Sequence, residues 1–113
     1  MKKGISVIFS IVFLLLGVSF VLGSVYINEV ELNPDSGSEW VELYNDVGTI
    51  NITGWKLWDN NPSLIFTVTA ETILGPGSYY VADGISNKLN NGGDSVSLYD
   101  SDDLLIQSTS VLV

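Results

Sequence analysis

The stretch Glu39-Trp40-Val41-Glu42-Leu43-Tyr44-Asn45 decides how the rest of the chain is interpreted. Large apolar residues alternate in it with polar ones and turn-forming residues follow, a pattern typical of a half-buried β-strand. Gly54-Trp55-Lys56-Leu57-Trp58-Asp59 repeats the pattern further along the chain. We therefore expect both stretches to form strands at the centre of a small β-sandwich.

The two faces of these strands have different predicted roles, because successive side chains of a strand point to opposite faces. Val41 and Leu43 share one face, as do Trp55 and Leu57, and we expect these residues in the core. Exposed aromatic residues on a sheet face suit contacts with sugars or proteins, although a loop or the other sheet can also cover them. The candidate binding residues on the outward faces are Trp40, Tyr44 and Trp58.

The remaining sequence also favours strands over helices. Residues 25–31 form a β-rich run, and Leu74-Gly75-Pro76-Gly77 is typical of a tight turn. Asp94 to Tyr99 alternates clearly, with Asp100 to Asp103 as the predicted turn of a hairpin. About seven strands with regularly spaced turn signals predict an all-β sandwich.

The first residues have the order of a secretory signal. Lys2 and Lys3 precede an uncharged, almost wholly apolar segment over residues 4–22, and small residues follow at Gly23-Ser24. This predicts a cleaved signal peptide over residues 1–23. The alternative is an uncleaved membrane anchor, because about 20 apolar residues cross a bilayer as a helix.

Both alternatives place residues 24–113 outside the cytoplasm, as a domain that is secreted or displayed on the extracytoplasmic face of the cell membrane. Membrane contact is expected only through residues 4–22, if that segment is not cleaved. The chain of 113 residues leaves room for one such domain. Because the chain has no cysteine, the domain is held together by its core and not by disulfides.

The charge distribution limits the classes of partner. All 13 acidic residues follow Ser24, whereas Lys56 and Lys88 are the only basic residues there. A surface this acidic repels phosphate groups, so we expect no unaided binding to nucleic acid. We expect a protein or a cell-envelope polymer as the partner.

Catalytic chemistry has little support in the sequence. The chain has no histidine and no cysteine, which removes the commonest bases and thiol nucleophiles. A carboxylate-based hydrolase would need two converging acids in a cleft. Four candidates occupy two strands that we expect to be adjacent, and we interpret them as a solvated acidic face: Glu29, Glu31, Glu39 and Glu42.

Calcium is the alternative chemistry, and its candidate ligands are Asp100, Asp102 and Asp103. The segment does not fit the calcium loop of helix-loop-helix proteins, since Leu105 and Val111 stand where a glycine and a glutamate are needed. Aspartate is also a default residue of hairpin turns. We therefore expect no cofactor, with calcium-dependent binding through such loops as the competing hypothesis.

Asn51-Ile52-Thr53 has the acceptor pattern for N-glycosylation, and export would allow the modification. Such triplets also arise by chance. The pattern therefore makes Asn51 a candidate modification site.

Five blocks of sequence, in this order and spacing, resemble the lamin-tail domain family over almost all of residues 24–113. They are Ile27 to Val30, Glu39 to Asn45, Ile52 to Leu57, Leu74 to Val81 and Asn91 to Asp100. The resemblance implies an immunoglobulin-like β-sandwich of the kind found in lamin tails and in exported prokaryotic proteins, where it serves as a tethering or interaction module without catalytic residues. The 113 residues contain no coiled-coil rod and no enzyme domain, so we do not expect the resemblance to extend to filament formation or to hydrolase activity.

The resemblance also marks structural positions. It implies turns at Gly54, Gly77 and Gly93, and a core made of Val41, Leu43, Trp55, Leu57, Tyr79, Val81, Val96 and Leu98. The resulting expectation is a non-enzymatic, extracytoplasmic interaction or tethering module.

Overall fold

The computed structural model describes residues 25–34, 36–85, 88–90 and 92–111. The predicted signal or anchor segment, residues 1–23, lies outside the described residues. Within these ranges the chain forms nine β-strands and no helix. The described residues therefore contain no helix that is long and apolar enough to cross a membrane. The strands are β1 (Val25–Glu31), β2 (Glu39–Asn45), β3 (Ile50–Asn51), β4 (Lys56–Trp58), β5 (Leu64–Thr67), β6 (Ile73–Leu74), β7 (Ser78–Ile85), β8 (Asp94–Tyr99) and β9 (Leu105–Val111).

The strands form a three-stranded sheet β1-β2-β7, a four-stranded sheet β5-β4-β8-β9 and a small two-stranded sheet β3-β6. Every pairing is antiparallel. The two alternating stretches do not pair with each other, because β2 is the central strand of one large sheet and β4 is an interior strand of the other. They nevertheless lie at the centre of the sandwich, as predicted.

The core lies between the sheets and confirms most of the predicted positions. Val41, Leu43, Leu57, Val96 and Leu98 are each at most 2% exposed. Burying a large aliphatic side chain of this kind stabilises a fold by about 1.5–3 kcal/mol. The other buried apolar residues are Val25, Leu32, Ile52, Trp55, Ile65, Val68, Leu74, Ala82, Ile85 and Leu89.

Tyr79 and Val81 are the exceptions, and their predicted place in the core is wrong. They are 57% and 45% exposed, because the pairing of β7 with β2 sets them opposite Tyr44 and Glu42 on the outward face. Directly opposed residues share a face of the sheet. Tyr80 and Ala82 point inward in their place, opposite Leu43 and Val41. A register change of one residue inverts every side chain of a strand.

The predicted turn glycines all have positive φ: 86° at Gly54, 79° at Gly77 and 125° at Gly93. Gly54 is also crowded, since a Cβ atom there would lie 3.1 Å from the Cβ of Ser101. A side chain at Gly54 would therefore meet both backbone strain and a steric contact.

The buried side chain of Asn45 and the half-buried side chain of Gln107 join segments that the sheets leave separate. The Asn45 Nδ2 atom donates to the carbonyl oxygens of Gly48, Leu74 and Gly75 at 2.9, 3.1 and 2.9 Å. The two large sheets are linked where the Ile27 N–H donates to Gln107 Oε1 at 2.7 Å. These bonds fix the outer strands around the core.

Candidate functional site

A row of three tyrosines crosses the outward side of the three-stranded sheet. Tyr26 lies opposite Tyr44 on the neighbouring strand, and Tyr44 lies opposite Tyr79. The ring centroids are 5.6 Å apart in the first pair and 4.8 Å apart in the second, and the rings are tilted against each other. Such pairs gain about 0.5–1.5 kcal/mol beyond simple burial, so each ring restrains its neighbour.

Further rows of the same sheet add glutamates to this aromatic surface. Glu29 pairs with Glu42, which pairs with Val81, and Glu31 pairs with Trp40. Trp40 and Tyr44 are half-buried, so their neighbours cover part of each ring and leave the rest open. We call the whole surface the tyrosine face; it consists of Tyr26, Glu29, Glu31, Trp40, Glu42, Tyr44, Tyr79 and Val81.

The electrostatics of the tyrosine face favour the neutral form of the Tyr26 phenol. Burial raises the pKa of Tyr26, and the negative charge of Asp46 together with the neighbouring Tyr44 and Tyr79 raises it further. Glu42 is held in place because the Asn28 Nδ2 atom donates to its Oε1 at 2.8 Å. The face therefore presents hydroxyl donors beside the oriented carboxylate acceptor of Glu42.

Trp58 lies on the outward side of the other large sheet, away from Trp40 and Tyr44. It lies opposite Ser97, and the neighbouring residue pair on that face is Lys56 with Tyr99. A cavity of about 320 Å³ opens here, and we call it the Trp58 pocket. Its lining consists of Trp58, Asp59, Pro62, Ser97, Tyr99 and Asp103.

Both carboxylates of the Trp58 pocket are held by contacts with their surroundings. Asp59 Oδ1 accepts hydrogen bonds from the backbone N–H groups of Asn61 and Ser63, at 2.9 and 2.6 Å. Asp103 Oδ1 lies 3.0 Å from Lys56 Nζ. The pocket thus combines aromatic walls with two oriented carboxylates.

The predicted calcium ligands form a hairpin turn instead of a converging cluster. Asp100 Oδ1 accepts from the N–H groups of Asp102 and Leu104, at 2.8 and 3.0 Å, as aspartate commonly does in turns. Asp103 has a positive φ of 63° and pairs with Lys56. Among the described residues, no three acidic side chains are grouped so that they could hold a metal ion. Specific calcium binding by this segment stays a prediction.

The four glutamates proposed as an acidic face do occupy adjacent strands, but they do not all face solvent. Glu29 is exposed and Glu42 is half-buried on the open sheet. Glu39 is only 5% exposed, and its Oε1 accepts from the N–H groups of Lys88 and Leu89 at 3.0 and 2.9 Å. The interpretation of Glu39 as a solvated residue is therefore wrong; its carboxylate anchors the loop before β8.

Asn51 is exposed at the end of β3, while Ile52, the middle residue of the glycosylation triplet, is fully buried. The Asn51 Oδ1 atom accepts from the Thr53 N–H at 2.9 Å, and Thr53 Oγ1 accepts from the Thr72 N–H at 2.9 Å. Glycosylation of Asn51 stays a prediction.

Sequence reasoning missed several aromatic residues of both surfaces. Tyr26 was not among the candidate surface residues, and Tyr79 was expected in the core. Tyr99 belongs to the alternating strand β8, where its position opposite Lys56 marks the outward face. Its alternation with Val96 and Leu98 was the available signal, since those residues point inward.

Comparison with known proteins agrees with this architecture. No match is found among curated proteins or solved structures. The family model described as Lamin Tail Domain matches residues 20–112 and thus covers every described strand. This family consists of non-catalytic, immunoglobulin-like interaction domains. The chain belongs to the Lamin Tail Domain family.

Proposed function

We propose that this lamin-tail domain is an extracytoplasmic tethering module that holds a protein partner at the cell surface through its tyrosine face. The family supports a non-enzymatic interaction domain. The apolar segment over residues 4–22, preceded by two lysines, supports export. The row formed by Tyr26, Tyr44 and Tyr79 is the observation that carries the choice of surface.

The tyrosine row is suited to protein contact because Tyr79 is exposed, Tyr26 and Tyr44 are only half-buried, and the three rings restrain one another. Tyr79 and Val81 are 57% and 45% exposed, and Tyr44 is packed between Tyr26 and Tyr79. Tyrosine and tryptophan are enriched among residues that dominate binding energy at interfaces. Rings that are restrained before binding lose less conformational entropy when a partner arrives.

The glutamates of the face define the partner's charge. Glu29, Glu31 and Glu42 line the same side of the sheet as the tyrosines, and the tyrosine face contains no basic residue. Charge complementarity across an interface speeds association and excludes partners of like charge. The contact surface of the partner is therefore neutral or basic.

The experiment measures retention of the full-length protein by cell-envelope fractions, with and without prior protease treatment of the fraction. The test variant is Tyr79→Ser, and the matched control is Ile73→Ser, since both side chains are 57% exposed. Ile73 lies on β6, in the separate two-stranded sheet. We expect Tyr79→Ser to weaken retention about tenfold, which corresponds to about 1.4 kcal/mol.

The proposal also expects that Ile73→Ser binds like the parent protein and that protease treatment abolishes retention. Equal loss in both variants would show that any exposed apolar residue matters and would contradict the choice of face. Retention that survives protease would identify an envelope polymer as the partner instead of a protein.

A further inference from the structure

The Trp58 pocket has the shape of a site for a small group and is separate from the tyrosine face. Its volume of about 320 Å³ is at the lower end of the range for ligand sites. Trp58, Pro62 and Tyr99 supply apolar walls, and Ser97 supplies a hydroxyl. Because it lies on the other large sheet, a ligand here does not depend on the proposed tethering role.

The charge in the pocket sets the sign of the ligand. Asp59 and Asp103 line it, and the nearby Lys56 is already paired with Asp103 at 3.0 Å. The hydrogen bonds that Asp59 makes within the described part of the chain use Oδ1, so its Oδ2 stays available to a ligand. Asp59, Asp103 and Lys56 together carry one net negative charge, so the pocket favours a cation over an anion, chiefly through Asp59.

We propose that the Trp58 pocket binds a guanidinium group, the end of an arginine side chain. A planar guanidinium stacks on an aromatic ring, best on tryptophan, and donates hydrogen bonds in the fork geometry that carboxylates accept. Trp58 and Tyr99 provide the rings, and Asp59 provides an acceptor whose orientation is fixed by its turn. A neutral sugar would also stack on Trp58 and could donate hydroxyl hydrogen bonds to Asp59, but it has no positive charge for the carboxylates to attract.

The experiment is an NMR titration of the isotope-labelled full chain in uncharged detergent micelles, which follows the Trp58 indole N–H and the Ser97 amide. The probes are blocked arginine, blocked citrulline as its neutral isostere, and glucose. We expect saturable shifts with blocked arginine and a Kd on the order of a millimolar, with citrulline at least tenfold weaker.

Charge-neutralising variants test the two carboxylates without removing the turns. Asp59→Asn keeps the Oδ1 acceptor for the N–H groups of Asn61 and Ser63, and asparagine tolerates the positive φ of Asp103. We expect Asp59→Asn and Asp103→Asn each to raise the Kd at least fivefold. Asp102 lies in the same turn as Asp103 but does not line the pocket, so Asp102→Asn is the matched control and should leave the Kd unchanged.

Two results would overturn the inference. Equal shifts with citrulline or glucose would show that the pocket does not select a cation. Equal weakening by Asp102→Asn and Asp59→Asn would show that arginine responds only to the overall negative charge of the protein.

Discussion

Replacing Asn45 with leucine tests how strongly a single side chain holds the end of β2 to the segments around it. Asn45 is fully buried, and its Nδ2 atom serves three carbonyl oxygens. The bond to Leu74 is buried, while those to Gly48 and Gly75 lie in partly buried surroundings that water can reach. Leucine has a similar size but offers no donor, so the contacts with the carbonyls are lost while the volume is kept.

The magnitude follows from these surroundings. An orphaned buried carbonyl at Leu74 costs about 1–3 kcal/mol. Because the amide has only two N–H donors, the contacts with Gly48 and Gly75 count together as one further bond, whose loss costs about 0.5–1.5 kcal/mol. The Asn45 Oδ1 atom is buried without a partner among the described residues, so its removal offsets part of this cost. We expect a net loss of about 2 kcal/mol in the free energy of unfolding, or a fall in Tm of roughly 8–16 °C.

Asn45→Asp tests what a negative charge at the same buried position does to stability. At neutral pH it places a carboxylate against three carbonyl oxygens, so we expect a larger loss than for leucine. Burial would raise the pKa of this aspartate above about 3.9, the usual value for the unfolded chain. The folded variant therefore keeps its proton longer than the unfolded chain, and its stability falls as pH rises through the folded-state pKa.

The assay for the Asn45 variants is urea unfolding of the full-length chain, followed by tryptophan fluorescence at several pH values. Asn61→Leu, at an exposed turn position, is the control and should change the stability by less than about 0.5 kcal/mol. A loss below about 1 kcal/mol for Asn45→Leu would refute the reasoning. So would an Asn45→Asp variant whose stability does not depend on pH relative to the parent.

Two further predictions concern backbone strain and alkaline pH. Gly77→Ala should cost about 1–2 kcal/mol from its positive φ alone. Gly54→Ala should cost more, because its Cβ would also lie 3.1 Å from the Cβ of Ser101, and equal Tm values for the two variants would contradict this. Burial and Asp46 raise the pKa of Tyr26, so the stability it supports is complete below about pH 10 and is lost as pH rises through the folded-state pKa. Tyr26→Phe should flatten that alkaline loss in thermal unfolding, and an equally steep curve would refute the assignment.

The candidate surfaces were only partly predictable from sequence. Alternation along β2 and β4 placed Trp40, Tyr44 and Trp58 on outward faces, and the structure agrees. Alternation could not show that Trp58 belongs to a different sheet from Trp40 and Tyr44, because it describes one strand at a time. Which residues lie next to each aromatic residue depends on strand order and pairing.

Local sequence was enough to predict most of the strands, the turn at Gly77 and the core residues Val41, Leu43, Trp55 and Leu57, because side-chain alternation and glycine's access to positive φ act over a few residues. The turns at Gly54 and Gly93 and the other core positions followed from the resemblance to the lamin-tail domain. The outward direction of Tyr79 was decided only when β7 paired with β2 opposite Tyr44. The burial of Glu39 likewise depended on donors at Lys88 and Leu89, far away in the chain. Both outcomes required tertiary structure, since register and long-range hydrogen bonds join residues whose local sequences carry no information about each other.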